Sequence, residues 1–179
     1  VDVFEPLAQE RGLALTLEIE PAMRGPYHGD AGRIRQILTN LIGNAIKFTE
    51  KGHIALHVSG IHGQDATSLR FAVSDTGIGI PADQQERVFG VFLAFATGEG
   101  RQARGDGLGL SISRRIARAM EGDVSVQSTV GQGATFVLTL PVQRTVPAPD
   151  PAPVQDAPPP AQSCTILIVE DNAVNRSVL

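Results

Sequence analysis

Residues 31–48, AGRIRQILTNLIGNAIKF, decide the fold of this 179-residue chain. They predict one long helix, because apolar side chains recur along them at helical spacing and Asp30, directly before them, suits the N-cap position. The apolar stripe consists of Ile34, Ile37, Leu38, Leu41, Ile42, Ala45 and Ile46. A single stripe of this kind indicates a helix that packs with one face on a sheet.

A polar stripe on the opposite side of the same helix carries Asn40, Asn44 and Lys47. Separations of four and three residues place these side chains along one face. Asparagine is a poor helix former, so two of them on one stripe are unusual. Two interpretations are open: the stripe is a solvated surface, or its amide oxygens bind a hard cation while Lys47 meets a phosphate.

Strand patterns surround this helix. Apolar and polar residues alternate before it, and two pairs of short apolar runs follow it, each pair joined by a turn-rich segment. The predicted strands are 13–20, 53–59, 68–74, 123–127 and 134–140, and the further predicted helices are a short one within the weakly patterned, mobile segment 81–107 and a longer one at 108–120. We therefore expect an α/β two-layer sandwich, with three helices on one face of a mixed, largely antiparallel sheet.

Composition excludes several classes of protein. The chain has 42% hydrophobic and 19% charged residues with a net charge of -4, which suits one globular core and gives no electrostatic footprint for nucleic acid or for an anionic membrane. Cys164 is the single cysteine and cannot close an internal disulfide, which favours a reducing, cytoplasmic location. No apolar run reaches the roughly 20 residues that a membrane-spanning helix needs.

Two glycine-containing turns are candidate ligand sites. Residues 75–80, DTGIGI, directly follow a predicted strand, and residues 105–110, GDGLGL, open a predicted helix. Either segment can be an ordinary turn. Alternatively, the Asp75 carboxylate reads the amino group of a base, and the N–H groups at the second helix start bind phosphate oxygens. The second segment is not a P-loop or a Rossmann turn, because neither its spacing nor its surroundings match those motifs.

Taken together, in order and spacing, these segments resemble the catalytic, ATP-binding domain of sensor histidine kinases, which has the Bergerat fold shared with gyrase, Hsp90 and MutL. Residues 35–49 resemble the N box, 75–80 the G1 box, 89–92 a reduced F box, 105–110 the G2 box, and 131–136 the last hairpin of that family. The resemblance covers about residues 4–141 and implies an ATP-dependent protein-histidine kinase of a two-component phosphorelay.

The resemblance also implies roles for individual residues. Asn44 would hold Mg²⁺ that bridges the ATP phosphates, with Asn40 beside it and Lys47 on a phosphate, and Asp75 would accept from the adenine amino group. The other implied nucleotide contacts are Gly77, Ile78, Gly79, Ile80, Gly105, Gly107, Leu108, Gly109, Leu110 and Thr135. The hydrolytic relatives carry a Glu base where this chain has Asn40, an amide that cannot act as a base.

The expected nucleophile is therefore a histidine on a separate dimerisation domain, since no histidine of this chain matches the family's phosphorylation site. The resemblance implies that residues 1–12 lead out of that dimerisation module and that 13–141 form the catalytic domain. Residues 142–163 are rich in Pro and Ala and predict an extended linker.

Residues 164–179 resemble the first βα portion of a response-regulator receiver domain, as in hybrid kinases. Glu170 and Asp171 would help to bind Mg²⁺ in an intact receiver, whereas the alternative is a plain strand end followed by a helix N-cap. The implied partners of the chain are thus the dimerisation domain and the receiver domain of the same protein.

Two rival functions stay open. A degenerate module would bind ATP or ADP without transferring phosphate, and departures from the family pattern favour it. These departures are Gly90, Val91 and Ala94 in the F box and Arg104 and Asp106 in the G2 box. A hydrolytic ATPase is the second rival, and Asn40 counts against it.

Overall fold

A computed structural model describes residues 3–62, 67–90 and 108–144, and these form a six-stranded sheet with helices packed on one face. The helices are α1 (Glu5–Glu10), α2 (Ala31–Phe48) and α3 (Gly109–Ala119), and short 3-10 helices span Pro21–Met23, Ala82–Gln84 and Arg87–Phe89. The strands are β1 (Ala14–Ile19), β2 (Tyr27–His28), β3 (His53–His62), β4 (Thr67–Asp75), β5 (Asp123–Thr129) and β6 (Gly133–Arg144).

Helix α2 has the bounds that the sequence predicts. The carboxylate of Asp30 accepts a hydrogen bond from the backbone N–H of Arg33 at 3.0 Å, which satisfies one of the free donors of the first turn. On the apolar stripe, Ile37 and Leu41 are completely buried and Ile46 nearly so. Burial of this stripe against the sheet places the polar stripe on the outer side of the helix.

The strand order is β1-β3-β4-β6, with β5 beside β6 and β2 paired to the last residues of β6. The β1–β3 pair is parallel and the other pairs are antiparallel, so the predicted sandwich with a mixed, largely antiparallel sheet is confirmed. Both predicted hairpins are present. In the centre of the sheet Val73 lies opposite Leu56 on one side and Phe136 on the other, and all three face the helices.

The structure differs from the sequence prediction in several elements; α1, for example, was not predicted, and β3 and β5 are longer than expected. Strand β6 continues to Arg144, so residues 142–144 belong to the sheet rather than to the expected linker. Val142 still pairs with Thr67 of β4, and β2, which the sequence did not predict, pairs with the last two residues: Tyr27 lies opposite Arg144 and His28 opposite Gln143. The described part of the segment 81–107 holds two short 3-10 helices instead of one helix.

The first helix is attached to the core. Ala8 of α1 and the following Leu13 are buried, and the guanidinium of Arg11 donates to the carbonyl oxygen of Ile46 at 3.2 Å. This contact ties the segment before β1 to the last turns of α2. No helix among the described residues is long and apolar enough to cross a membrane. The predicted linker beyond 144 and the receiver-like residues 164–179 lie outside the described residues.

Candidate functional site

The polar stripe of α2 forms one wall of the candidate site. Asn40, Asn44 and Lys47 are all partly exposed along it. The amide nitrogen of Asn40 donates to Ser113 Oγ on α3 at 3.0 Å, whereas the side chain of Asn44 has no hydrogen bond to any described residue. The ammonium nitrogen of Lys47 lies 4.9 Å from the centre of the Phe48 ring. Asn44 and Lys47 therefore have polar atoms that remain available to a ligand.

Asp75 ends β4 on the face of the sheet that carries the helices. Its Oδ1 accepts from the backbone N–H of Gly77 at 2.8 Å and of Ala134 at 3.3 Å, and no described residue donates to Oδ2. Burial raises the pKa of the Asp75 carboxyl, and the two backbone hydrogen bonds oppose that rise without cancelling it. The carboxylate is thus held rigidly through one oxygen and offers the other to a donor.

The glycines after Asp75 are packed against the chain's own backbone. A methyl group at Gly77 would lie 2.9 Å from Asp75 Oδ1 and nearer still to the carbonyl oxygen of Phe48, the last residue of α2. Gly79 has a φ of +71°, and a methyl group there would overlap the carbonyl oxygen of Thr129. These two glycines let the loop approach α2 and β5 closely.

Hydrogen bonds fix this loop to the β5–β6 hairpin. The N–H of Ile80 donates to Ser128 Oγ at 2.7 Å, and the N–H of Gly131 donates to the carbonyl of Ile78 at 2.8 Å. The amide of Gln85 joins both segments by donating to the carbonyl oxygens of Ser128 and Ile80. Ile78 stays 46% exposed at the rim, while Ile80 packs against the core. An open cleft of about 220 Å³ lies between Asp75 and this hairpin.

The N-terminus of α3 forms a second wall. The helix begins at Gly109 with Leu108 at the N-cap position, and no side chain of the described residues caps the N–H groups of its first turn. Leu110 packs against the core. Gly105 and Gly107 of the same predicted segment lie outside the described residues, as do Val91, Ala94, Arg104 and Asp106.

Thr135 lies on the other side of the sheet from Asp75. Its hydroxyl oxygen is 2.9 Å from Ser74 Oγ, and neighbouring residues of a strand point to opposite faces, so Ser74 and Asp75 face opposite ways. The residue of the hairpin that contacts the Asp75 carboxylate is Ala134, through its backbone. Strand alternation could have indicated this, because an inward Phe136 requires an inward Ala134 and an outward Thr135.

An ionic cluster on α3 was not indicated by the sequence. The guanidinium of Arg114 lies 3.0 Å from the carboxylate of Asp123 on β5 and 2.9 Å from that of Glu86. It also covers the ring of Phe89 at 4.5 Å, and that ring meets Phe136 edge-on. The pKa of Asp123 is lowered: burial alone would raise it, but the hydrogen bond from Arg114 and weaker ones outweigh that effect. Arg114 therefore attaches the start of the predicted F box to α3 and the sheet.

All the described walls of the site meet on one helix. Gly109 of α3 packs on Asn40, and Gly77 of the loop after β4 packs on Phe48. Eight residues of α-helix separate these two contacts, a rise of about 12 Å. The available groups of Asn44 and Lys47 lie between them.

The chain is similar to several known proteins. The family model described as "Histidine kinase-, DNA gyrase B-, and HSP90-like ATPase" matches residues 29–144. The sensor histidine kinase AruS of Pseudomonas aeruginosa is 38% identical over 98% of this chain, which spans 17% of that protein. The aerobic respiration control sensor protein ArcB of Escherichia coli is 40% identical over 96% of this chain, which spans 22% of ArcB.

Solved structures also resemble this chain. Full-length ShkA in complex with AMPPNP superposes with a TM-score of 0.70 at 38% identity, covering 80% of this chain and 28% of that one. The catalytic domain of histidine kinase ThkA superposes with a TM-score of 0.64 at 27% identity, covering 78% of this chain and 87% of that one.

Proposed function

The chain belongs to the family of histidine kinase-, DNA gyrase B- and HSP90-like ATPases, as an ATP-binding catalytic domain of the sensor histidine kinase class, and on this premise we propose how its residues hold the nucleotide and where the phosphoryl group goes. The observation that carries the proposal is the meeting of the loop after β4 and the start of α3 on the two ends of the Asn40–Lys47 stripe.

The triphosphate lies along α2 in this proposal. Asn44 offers a neutral amide oxygen that has no partner among the described residues, and Lys47 offers a partly exposed positive charge. Both groups suit a triphosphate with its metal ion. The Asn44 side-chain oxygen and the phosphate oxygens would be the ligands of Mg²⁺, since this ion prefers oxygen ligands. When bound, the ion neutralises charge on the phosphates. The N–H groups in the first turn of α3 complete the phosphate site.

The adenine is placed at the end of β4. The Oδ2 atom of Asp75 accepts from the exocyclic amino group, and the Oδ1 atom is already committed to Gly77 and Ala134. Because the carboxylate is fixed through one oxygen, its other oxygen needs little further ordering when the base binds. Ile78 and Ile80, on the same loop, supply apolar surface next to it.

The reaction transfers the γ-phosphoryl group to a histidine of a dimerisation domain. A ring nitrogen of that histidine forms a bond to the γ-phosphorus while the bond to the β–γ bridging oxygen breaks, and ADP leaves with the electron pair. Positioning and charge neutralisation provide most of the catalysis in such transfers. Asn40 occupies the place of a hydrolytic base and cannot take a proton from water, which favours transfer over hydrolysis.

Residues 164–179 begin a receiver domain in this proposal, which would make the whole protein a hybrid kinase acting in the cytoplasm. The support is the motif with Glu170 and Asp171, together with an alignment to AruS that extends over 98% of the chain. The chain spans about a fifth of the length of the curated relatives it matches, so the dimerisation domain and the rest of the receiver would come from other parts of the protein.

Phosphotransfer can be tested with the 179-residue chain, a separately produced dimerisation domain of the sensor histidine kinase class, and ATP labelled at the γ-phosphate. We expect acid-labile, alkali-stable label on the dimerisation domain, and its loss when Asn44→Ala or Asp75→Asn replaces the parent chain. A matched control is Asp83→Asn, at an exposed carboxylate away from the stripe, which should transfer normally.

The outcomes separate the candidate functions. Saturable nucleotide binding without label on histidine would replace the kinase by the nucleotide-sensing module. Release of inorganic phosphate without a labelled domain would indicate a hydrolase. Absence of nucleotide binding would overturn the proposal as a whole.

A further inference from the structure

Asn40 is enclosed by α3 on both sides of its amide. Its nitrogen donates to the hydroxyl of Ser113, a residue that is only 2% exposed. Its carbonyl side faces Gly109, where a methyl group would lie 2.9 Å from Asn40 Cγ and nearer still to Oδ1. Gly109 and Ser113 are four residues apart, so they share one face of α3 and receive Asn40 together.

This contact leaves Asn40 in a different situation from Asn44. Both side chains lie on one stripe of α2, a single turn apart, but only Asn44 lacks a partner among the described residues. A buried hydroxyl such as that of Ser113 is costly to leave without a hydrogen bond. Moving the Asn40 amide towards a ligand would therefore break a bond that the helix pair needs.

The contact also sets a distance. Ser113 lies one turn after the first residue of α3, and Asn40 lies one turn before Asn44, so the Asn40–Ser113 bond holds two candidate phosphate-binding groups at a fixed separation. These groups are the first-turn N–H groups of α3 and the Asn44–Lys47 end of the stripe. The absence of a side chain at Gly109 permits the close approach.

We propose that Asn40 is a positioning residue and not a metal ligand: with Ser113 and Gly109 it forms a clasp between α2 and α3 that sets the spacing of the nucleotide site. This inference rests on the proposed function insofar as it concerns nucleotide. The clasp itself is a property of the chain alone.

The test is a double-mutant cycle in the 179-residue chain with Asn40→Ala, Ser113→Ala and the two combined. We expect each single variant to weaken MgATP binding about five- to tenfold, and the double variant to be no weaker than the worse single one. Ser113→Thr keeps the hydroxyl and should restore binding to within about twofold of the parent.

Magnesium dependence separates the clasp from a ligand role. At fixed ATP, the Mg²⁺ concentration that gives half-maximal binding should rise for Asn44→Ala and stay at the parent value for Asn40→Ala and Ser113→Ala. The proposal is overturned if Asn40→Ala raises this Mg²⁺ concentration as much as Asn44→Ala does while Ser113→Ala leaves it at the parent value.

Amide hydrogen exchange provides a readout without nucleotide. Exchange across residues 109–113 should accelerate in Asn40→Ala and in Ser113→Ala, with no further acceleration in the double variant. Unchanged exchange would overturn the clasp even if the parent binds MgATP. Conversely, a parent that fails to bind MgATP but shows this exchange pattern refutes the proposed function and leaves the clasp intact. If Ser113→Ala does not fold, Ser113→Thr and Asn40→Ala still test whether the clasp exists.

Discussion

Asp75 is half-buried and keeps a raised pKa, so its charged form is unfavourable for folding. In the unfolded chain the carboxyl titrates near its ordinary value of 3.8, below its folded pKa. Stability therefore falls as pH rises from the unfolded pKa through the folded one, and the loss persists at neutral pH. Ionisable side chains that keep an unfavourable charge in a cleft, as Asp75 does, are typical of functional sites.

We expect Asp75→Asn to separate stability from binding. The amide oxygen can still accept from Gly77 and Ala134, so the free energy of unfolding at pH 7 should be unchanged or higher by up to about 1 kcal/mol in urea denaturation. The new NH₂ group would face the adenine amino group, donor against donor, and MgATP affinity should fall at least about tenfold. A large loss of stability with normal affinity would contradict this role.

The pH dependence of binding gives a second prediction for Asp75. Protonation removes an acceptor from the carboxyl, so the advantage of the parent over Asp75→Asn should shrink as pH falls towards the raised folded pKa. Measuring the ratio of the two affinities from pH 8 downwards, for as long as both chains stay folded, cancels the titration of the nucleotide itself. A ratio that does not change with pH would mean that the carboxylate does not contact the base.

Two glycines with similar backbone angles allow a matched test of loop packing. Gly79 has a φ of +71° with the Thr129 carbonyl in the way of a Cβ, whereas Gly131 has a φ of +79° and nothing within 4 Å. We expect Gly131→Ala to cost about 1 kcal/mol of unfolding free energy from backbone strain, and Gly79→Ala about 2–4 kcal/mol because a steric clash is added. Equal losses in urea denaturation would contradict the packing of this loop on β5.

Helix α3 is held on its other side by Arg114. The side chain is 17% exposed between Asp123 and Glu86, and it covers Phe89. Glu86 is 83% exposed, so solvent screens that pair and Asp123 supplies most of the interaction. The stability from the lowered pKa of Asp123 is present above 3.8 and is lost as pH falls through the folded pKa.

We expect Arg114→Met to lower the free energy of unfolding by about 1–2 kcal/mol at pH 7, because methionine keeps much of the apolar contact with Phe89 but loses the charge. The difference from the parent should shrink below pH 3.8 as Asp123 is protonated. Arg115→Met, at an exposed position of the same helix, is the control and should change stability by less than about 0.5 kcal/mol. A difference that persists at low pH would show that packing, not charge, explains the loss.

The elements that the sequence predicted best are those with strong local signals. Helix α2 has both an N-cap and a complete apolar stripe, and both signals are local. Strand β2 has two residues and exists through its pairing with the end of β6, which no pattern within two residues can indicate. The length of β6 was missed for the same reason.

The candidate site was predictable in part. Asn44 and Lys47 are polar residues at helical spacing, and Asp75 is a carboxylate at a strand end. The structure places the elements that carry them together. The partner of Asn40 was not predictable, because Ser113 lies 73 residues further along the chain and only the packing of α3 on α2 brings it near. The side of the sheet that Thr135 occupies follows from strand alternation, because the neighbouring Phe136 and Ala134 face the core.

Across the whole molecule, one helical layer joins the parts of the proposed nucleotide site. The loop after β4 and the start of α3 both pack on α2, and Arg11 connects the segment before β1 to the same helix at Ile46. The segment that enters the domain is thus in contact with the helix that carries Asn44 and Lys47. We propose on this basis that the described domain binds MgATP along α2.

Calorimetric titration of MgATP into the 179-residue chain tests that claim most directly. We expect saturable binding at one site. The affinity should fall at least about tenfold in Asn44→Ala and in Asp75→Asn, and it should be unchanged in Asp83→Asn. Absence of saturation up to about 5 mM MgATP, or parent-like affinity in both Asn44→Ala and Asp75→Asn, would contradict it.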